Sequence, residues 1–254
     1  MTWLPVQAEE VPERDAVLGL APEPYAVVRE ALVAAWQITD PRALELCRLR
    51  LAQLVDARAE LAGAGEELLA ELDRWEASAV FTERERAFLA FAEQYHYDHQ
   101  RLTSQQWDEL ARHLSLRDTV NFVWALHMNF AYARVLSLLD VAPDPPGASL
   151  RPERAAPATI GDLQAREPPA STGGAGPPRA SSRFQRSEQT VTGVSRERVN
   201  SVPTADGDVR SLMDLRFEVV YRRLNPVVVR QSLVDDVTSE AVRLHNASYQ
   251  GCVY

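Results

Sequence analysis

Asp40-Pro-Arg-Ala-Leu-Glu-Leu-Cys-Arg-Leu-Arg-Leu-Ala-Gln-Leu54 is the stretch on which the reading of the fold turns. Asp40 offers a side-chain acceptor at a helix N-cap, and Pro41 follows at the first helical position, where a missing N–H costs nothing. Leu44, Cys47, Leu51 and Leu54 then recur along one stripe, the spacing of an amphipathic helix. The pattern predicts a helix that runs to about Ala62, with Gly63 and Gly65 as punctuation. Cys47, on the apolar stripe, reads as a buried core thiol. Arg48 and Arg50 beside Glu45 read as a buried ion-pair network that fixes helix packing.

Outward from this helix the same period continues. On the N-terminal side, Tyr25, Val28, Ala31, Leu32 and Trp36 share one face of a helix from Pro22 to about Thr39. Residues 1–19, acidic and broken by prolines, predict an irregular segment. On the C-terminal side, Leu68, Leu69 and Leu72 form a short amphipathic segment before Trp75. Thr82-Glu-Arg-Glu85 is a capping box ahead of Phe88, Leu89, Phe91 and Ala92. Thr103 caps a helix carrying Trp107, Leu110 and Ala111, and Val120–Leu139 predicts a long helix buried on nearly all sides. Trp36, Trp75, Trp107 and Trp124 read as core. Residues 20–142 therefore predict about six helices without a strand, an all-α domain.

Residues 143–208 differ in kind. Pro143-Asp-Pro-Pro-Gly147 ends the last helix, and Ser171-Thr-Gly-Gly-Ala-Gly-Pro-Pro178 is low in complexity. Without periodic apolar residues such a stretch buries too little surface to offset its chain entropy, so it predicts a disordered linker. Helical periodicity returns over 209–254, first in Leu212, Leu215, Phe217, Val220 and Leu224, then over Asp235–Tyr249.

The chain has 254 residues, 46% of them hydrophobic, with a net charge of −9 and a pI near 5.1. That balance argues against a nucleic-acid or anionic-membrane surface. No apolar run approaches the roughly 20 residues of a membrane span, and the acidic start lacks a secretory h-region. Two cysteines give no disulfide framework. A soluble, cytoplasmic protein is expected.

Laid over Asp235–Cys252, the segment Asp40–Ala57 shows an internal repeat: Glu45 falls on Glu240, Arg48 on Arg243, Leu49 on Leu244 and Ala52 on Ala247. This skeleton resembles the carboxymuconolactone decarboxylase / alkylhydroperoxidase D family. Its motif runs from a Glu through Arg-Leu-Arg and a small residue to Cys-x-x-Cys, with a His four positions after the second Cys. Trp75, Phe81-Thr-Glu-Arg-Glu-Arg86 and Phe91-Ala-Glu-Gln94 are also similar to the helices that follow in that family. The resemblance covers residues 20–142 and again 209–254. It implies an alkylhydroperoxidase D-like helical domain, the linker, and a truncated second copy.

In the first copy the cysteine positions hold Ala57 and Glu60 and the His position holds Ala64, so that copy is degenerate around Glu45. In the second, the family's spacing puts the first cysteine at Cys252 and makes Glu240 the base of a proton relay. The second motif cysteine would be position 255. Three readings of that end stand side by side: a premature stop, a boundary drawn short, or a UGA codon read in the cell as selenocysteine. By resemblance the activity is hydroperoxide reduction without a cofactor, with a partner thiol protein as reductant and a homo-oligomeric assembly. In this chain Cys252 has no local thiol to resolve its sulfenic acid, so the cycle is expected to be incomplete.

A helical oligomerisation scaffold without catalysis is the alternative, and carboxymuconolactone decarboxylation a further one. His96, His99 and Asp98, with His113 and His127, invite a metal-site reading. They read better as ordinary histidines at a polar helix end, and no metal is expected.

Overall fold

A computed structural model of the chain describes residues 2, 4, 5, 11–144, 161 and 213–229. The expected linker from 145 to 208 (residue 161 apart), the expected helix Asp235–Tyr249, and Glu240 and Cys252 lie outside the described residues. All regular structure among the described residues is helical. The α-helices are α1 (Glu13–Leu18), α2 (Pro22–Ile38), α3 (Pro41–Leu54), α4 (Arg58–Leu61), α5 (Glu66–Asp73), α6 (Glu83–Asp98), α7 (Ser104–Ala111), α8 (Leu116–Leu138) and α9 (Leu215–Val229). One 3-10 turn, His99–Arg101, follows α6. None of these helices is long and apolar enough to cross a membrane.

The starts of these helices follow the side-chain chemistry of the sequence. The Asp40 carboxylate accepts from the backbone N–H of Arg42 at 2.9 Å and of Ala43 at 3.4 Å. Thr82 and Glu85 close a reciprocal capping box, and Thr103 and Gln106 close another. Ser115 accepts from the Asp118 N–H at the head of α8.

Helix α3 is the axis of the bundle. Every residue from Ala43 to Ala52 is buried, because α6 and α8 flank it and the short α4 and α5 cover the rest. Its Cys47 and Leu51 meet Phe88, Phe91, Phe122 and Leu126 on one side, and its Leu46 and Leu49 meet Leu68, Leu72 and Phe81 on the other. Each fully buried leucine contributes about 1.5–3 kcal/mol. Trp36 and Trp75 are buried as expected, whereas Trp107 and Trp124 are only partly so.

The structure corrects four expectations. Residues 1–19 are not irregular throughout, since α1 forms and buries Val17 against α2 and α8. Between residues 20 and 142 there are seven α-helices rather than about six. Helix α3 stops at Leu54, well short of Ala62. Asp56 takes a left-handed φ of 52° there, the Ala57 N–H bonds the Ala52 carbonyl at 2.9 Å, and the Asp56 N–H bonds the Gln53 carbonyl at 3.2 Å. That is a Schellman turn, with aspartate in the place glycine usually takes. Helix α8 is not buried all round. His127, Ala131, Arg134, Val135 and Leu138 are exposed along one stripe, and α2, α3, α4, α7 and α9 lie against its other sides.

Helix α8 also ends in a Schellman turn. Asp140 has a φ of 47°, the Val141 N–H bonds the Leu136 carbonyl at 3.1 Å, and the Asp140 N–H bonds the Ser137 carbonyl at 3.0 Å. The two turns abut: the Ser137 hydroxyl donates to the Val55 carbonyl at 2.5 Å, and Arg58 pairs with Asp140 at 2.5 Å.

Candidate functional site

Glu45 sits on α3 with no exposed surface, and one turn later Arg48 points back over it. The guanidinium donates through Nε to Glu45 Oε2 at 2.7 Å and through Nη2 to Glu45 Oε1 at 2.9 Å, a bidentate fork. Its remaining edge reaches α4, where Nη1 donates to the Glu60 carboxylate at 2.7 Å and to the Glu60 carbonyl at 2.5 Å. Burial alone would ease the proton off Arg48, but the charges of Glu45 and Glu60 outweigh it and hold the guanidinium more firmly charged than usual.

Of Glu45, Ala57, Glu60 and Ala64, the structure thus joins Glu45 and Glu60 through Arg48. Ala57, just ahead of α4, is buried against Ala52 and Ala133. Ala64 packs instead against the cluster of Leu46, Leu49, Leu68 and Leu72, away from that pair. The arginines do not form a single network. Residues two apart on a helix point to nearly opposite sides, so Arg50 turns from Glu45 to Glu93 on α6 and Asp73 on α5, each at 3.1 Å. Trp75 Nε1 donates to the same Glu93 carboxylate at 2.8 Å.

Cys47 is the thiol of the described residues, and it is fully buried. Burial, reinforced by the charge of Asp40, pushes its thiol well above the ordinary cysteine range. A thiol that is neither ionised nor reached by solvent is not a nucleophile. Glu45, Arg48 and Glu60 form a fixed ion triad between α3 and α4.

Three groups near Glu60 escaped the sequence reading. The Tyr132 hydroxyl is buried without a hydrogen-bond partner among the described residues. Burial and the nearby Glu60 raise its pKa. Arg14 of α1, also buried, pairs with Asp144 beyond α8, and the Ala142 N–H donates to Glu13 at 2.5 Å. Burial raises the Asp144 carboxyl, with Asp15 and Glu60 adding to it and Arg14 opposing. Arg14 lay in the segment read as irregular and Tyr132 inside an apolar run, so neither gave a signal in sequence.

His99 and His127 lie beside Tyr95. Its hydroxyl lies 2.8 Å from His127 Nδ1, and its ring lies 5.9 Å from that of His99. Among the described residues no group of three or more His, Cys, Asp or Glu side chains is placed to hold a metal ion. No protein-family model, no curated protein and no solved structure matches the chain.

Proposed function

We propose that the protein is an alkylhydroperoxidase D-like peroxidase whose first copy serves as scaffold and whose thiol chemistry belongs to Glu240 and Cys252. The Arg48 fork that binds Glu45 and Glu60 supports this reading. The Glu of the resembled motif is retained, but the position of its second cysteine carries a carboxylate locked to an arginine. A buried ion triad of this kind holds helices in register, and it leaves no acceptor for a peroxide oxygen.

In this reading the Cys252 thiolate attacks the O–O bond of a hydroperoxide. The distal oxygen stays on sulfur as a sulfenic acid, and the proximal oxygen leaves as an alcohol after taking a proton. One thiol of a dithiol reductant, in place of a local resolving thiol, condenses with the sulfenic acid and releases water, so the cycle closes only when that reductant is supplied. Its second thiol then displaces the mixed disulfide, restores Cys252 and leaves the reductant oxidised. The test is hydroperoxide consumption by the full-length chain with dithiothreitol, compared across Cys252→Ser and Cys47→Ser. Loss in the first variant and retention in the second is the expected result.

The second reading is a helical scaffold that assembles without catalysis. It is favoured by the exposed apolar side chains on α8, where Val135 is 40% and Leu138 72% exposed. Equal peroxide consumption by the wild type and Cys252→Ser would leave this reading alone.

A further inference from the structure

Helix α9 is seated along α8, and its contacts give its direction. Just ahead of α9, the Asp214 N–H donates to Asn121 Oδ1, near the start of α8, at 2.9 Å. The Phe217 ring then lies 6.1 Å from that of Trp124, and Val220 shares a buried cluster with Met128. Each step along α9 is thus a step along α8 in the same sense. At 1.5 Å per residue the helix advances about 22 Å, which brings Val229 level with the last turns of α8.

The side of α8 that meets Phe217 at its start is left open at its end. Trp124, Ala131, Val135 and Leu138 are seven, four and three residues apart, the spacing of one helix face. Yet Ala131 is exposed, Val135 is 40% exposed and Leu138 72%. The later turns of α9 lean onto α2 instead, where Arg223 pairs with Glu30 at 2.6 Å. Arg134 borders the open face. Its guanidinium lies 5.5 Å from the centre of the Phe130 ring, and among the described residues it has no carboxylate partner.

The sequence after α9 offers a match in both shape and charge. After residues 230–234, helical period resumes with Val237, Ala241 and Leu244 on one apolar stripe. Asp235, Asp236 and Glu240 lead it, against a single Arg243. A short connection between helices favours antiparallel neighbours. The chain from Val229 to Asp235 can reach about 20 Å, roughly twice the spacing of packed helices, so the leading acids come within range of Arg134.

We propose that residues 235–249 fold back on α8 and cover its open face. Val237, Ala241 and Leu244 pack on Ala131, Val135 and Leu138, and the leading acids pair with Arg134. The contact brings Glu240, and the chain leading to Cys252, onto the first copy. It does not depend on peroxide reduction at Cys252. A second copy of the chain is the rival occupant of the same face.

The test is disulfide trapping in the full-length chain carrying Cys252→Ser. Cys47 has no exposed surface and stays out of reach. Leu138→Cys is combined with Val237→Cys in one protein and with Tyr249→Cys in another, and both are oxidised at low protein concentration. Tyr249 stands at the far end of the proposed helix, about 18 Å beyond Val237. The 138–237 disulfide should close within one chain about tenfold faster than 138–249, since docking raises the local concentration of one pair alone. Arg134→Glu should slow it, and Asp235→Arg with Asp236→Arg should restore the rate. Equal rates for the two pairs would mean a segment that passes α8 without docking, and would overturn the proposal. So would disulfides formed between chains, which give the face to a second copy, and so would a rate unchanged by Arg134→Glu. No peroxide enters the readout, so a failed peroxidase assay and a failed dock are separate results.

Discussion

Arg48 has to satisfy two carboxylates while being 2% exposed, and that makes it the residue with most to lose. Arg48→Met removes the bidentate partner of Glu45, a carboxylate with no exposed surface. Breaking a buried ion pair from one side costs about 3–5 kcal/mol, whereas replacing both partners by apolar groups recovers most of it. Urea unfolding should therefore show a large loss for Arg48→Met and a much smaller one for Arg48→Met with Glu45→Leu. The Glu45–Arg48 pair was legible, since a spacing of three on a helix brings two side chains together. Arg50 was misassigned because its partners, Glu93 and Asp73, lie 43 and 23 positions away in sequence. Glu93 carries a pH dependence. Burial disfavours its ionised form, but the hydrogen bonds from Arg50 and Trp75 and the Arg50 charge outweigh burial and hold the carboxyl below its usual value. A depressed carboxyl stabilises the fold above its unfolded value of 4.5, and that contribution disappears as pH falls through the folded one. The acid limb of a stability–pH curve should be shallower for Glu93→Gln than for the wild type.

Helices α3, α6 and α7 begin where the sequence said, because caps are local chemistry. Asp40, Thr82 and Thr103 announce their helices within three residues. Ends were harder to see. Glycine is the common left-handed residue after a helix, so Gly63 drew attention away from Asp56. Nothing in the local spacing says that α3 stops at Leu54. The stop is set by a turn that packs against the matching turn after α8, a partner 82 residues distant. Aspartate tolerates the left-handed region better than most residues but still pays for its Cβ. Asp56→Gly should raise stability by about 0.5–1 kcal/mol, the strain relieved less the added freedom of the unfolded chain, read as a higher urea midpoint at an unchanged slope. A lowered midpoint would mean that the Asp56 side chain itself holds the turn.

For the whole molecule, helical period and the absence of strand patterns made the all-α class readable from sequence alone. The same period showed a helix around Phe217 but not where it would sit, because a stripe of apolar residues does not name its partner. In the structure Phe217 is buried in the main core, so the chain on either side of residues 145–212 should unfold as one unit. Phe217→Ala should cost about 3–5 kcal/mol, with helix content and tertiary signals lost together in one transition. Two separated transitions would show that α9 is peripheral to the core.

Trp124 lies between that helix and a titrating group, with the ring of Phe217 6.1 Å away and that of His127 at the same distance on another side. An excited indole is quenched by an imidazolium at van der Waals range, and its emission moves to longer wavelength when water reaches it. Partial desolvation of its ring, with the nearby charge of His99, holds His127 below the ordinary histidine range. Light from Trp124 should thus dim only on acidification through that lowered value, and should redden when α9 leaves its seat. The molecule carries its own optical gauge, one indole that reports both the proton on α8 and the docking of α9.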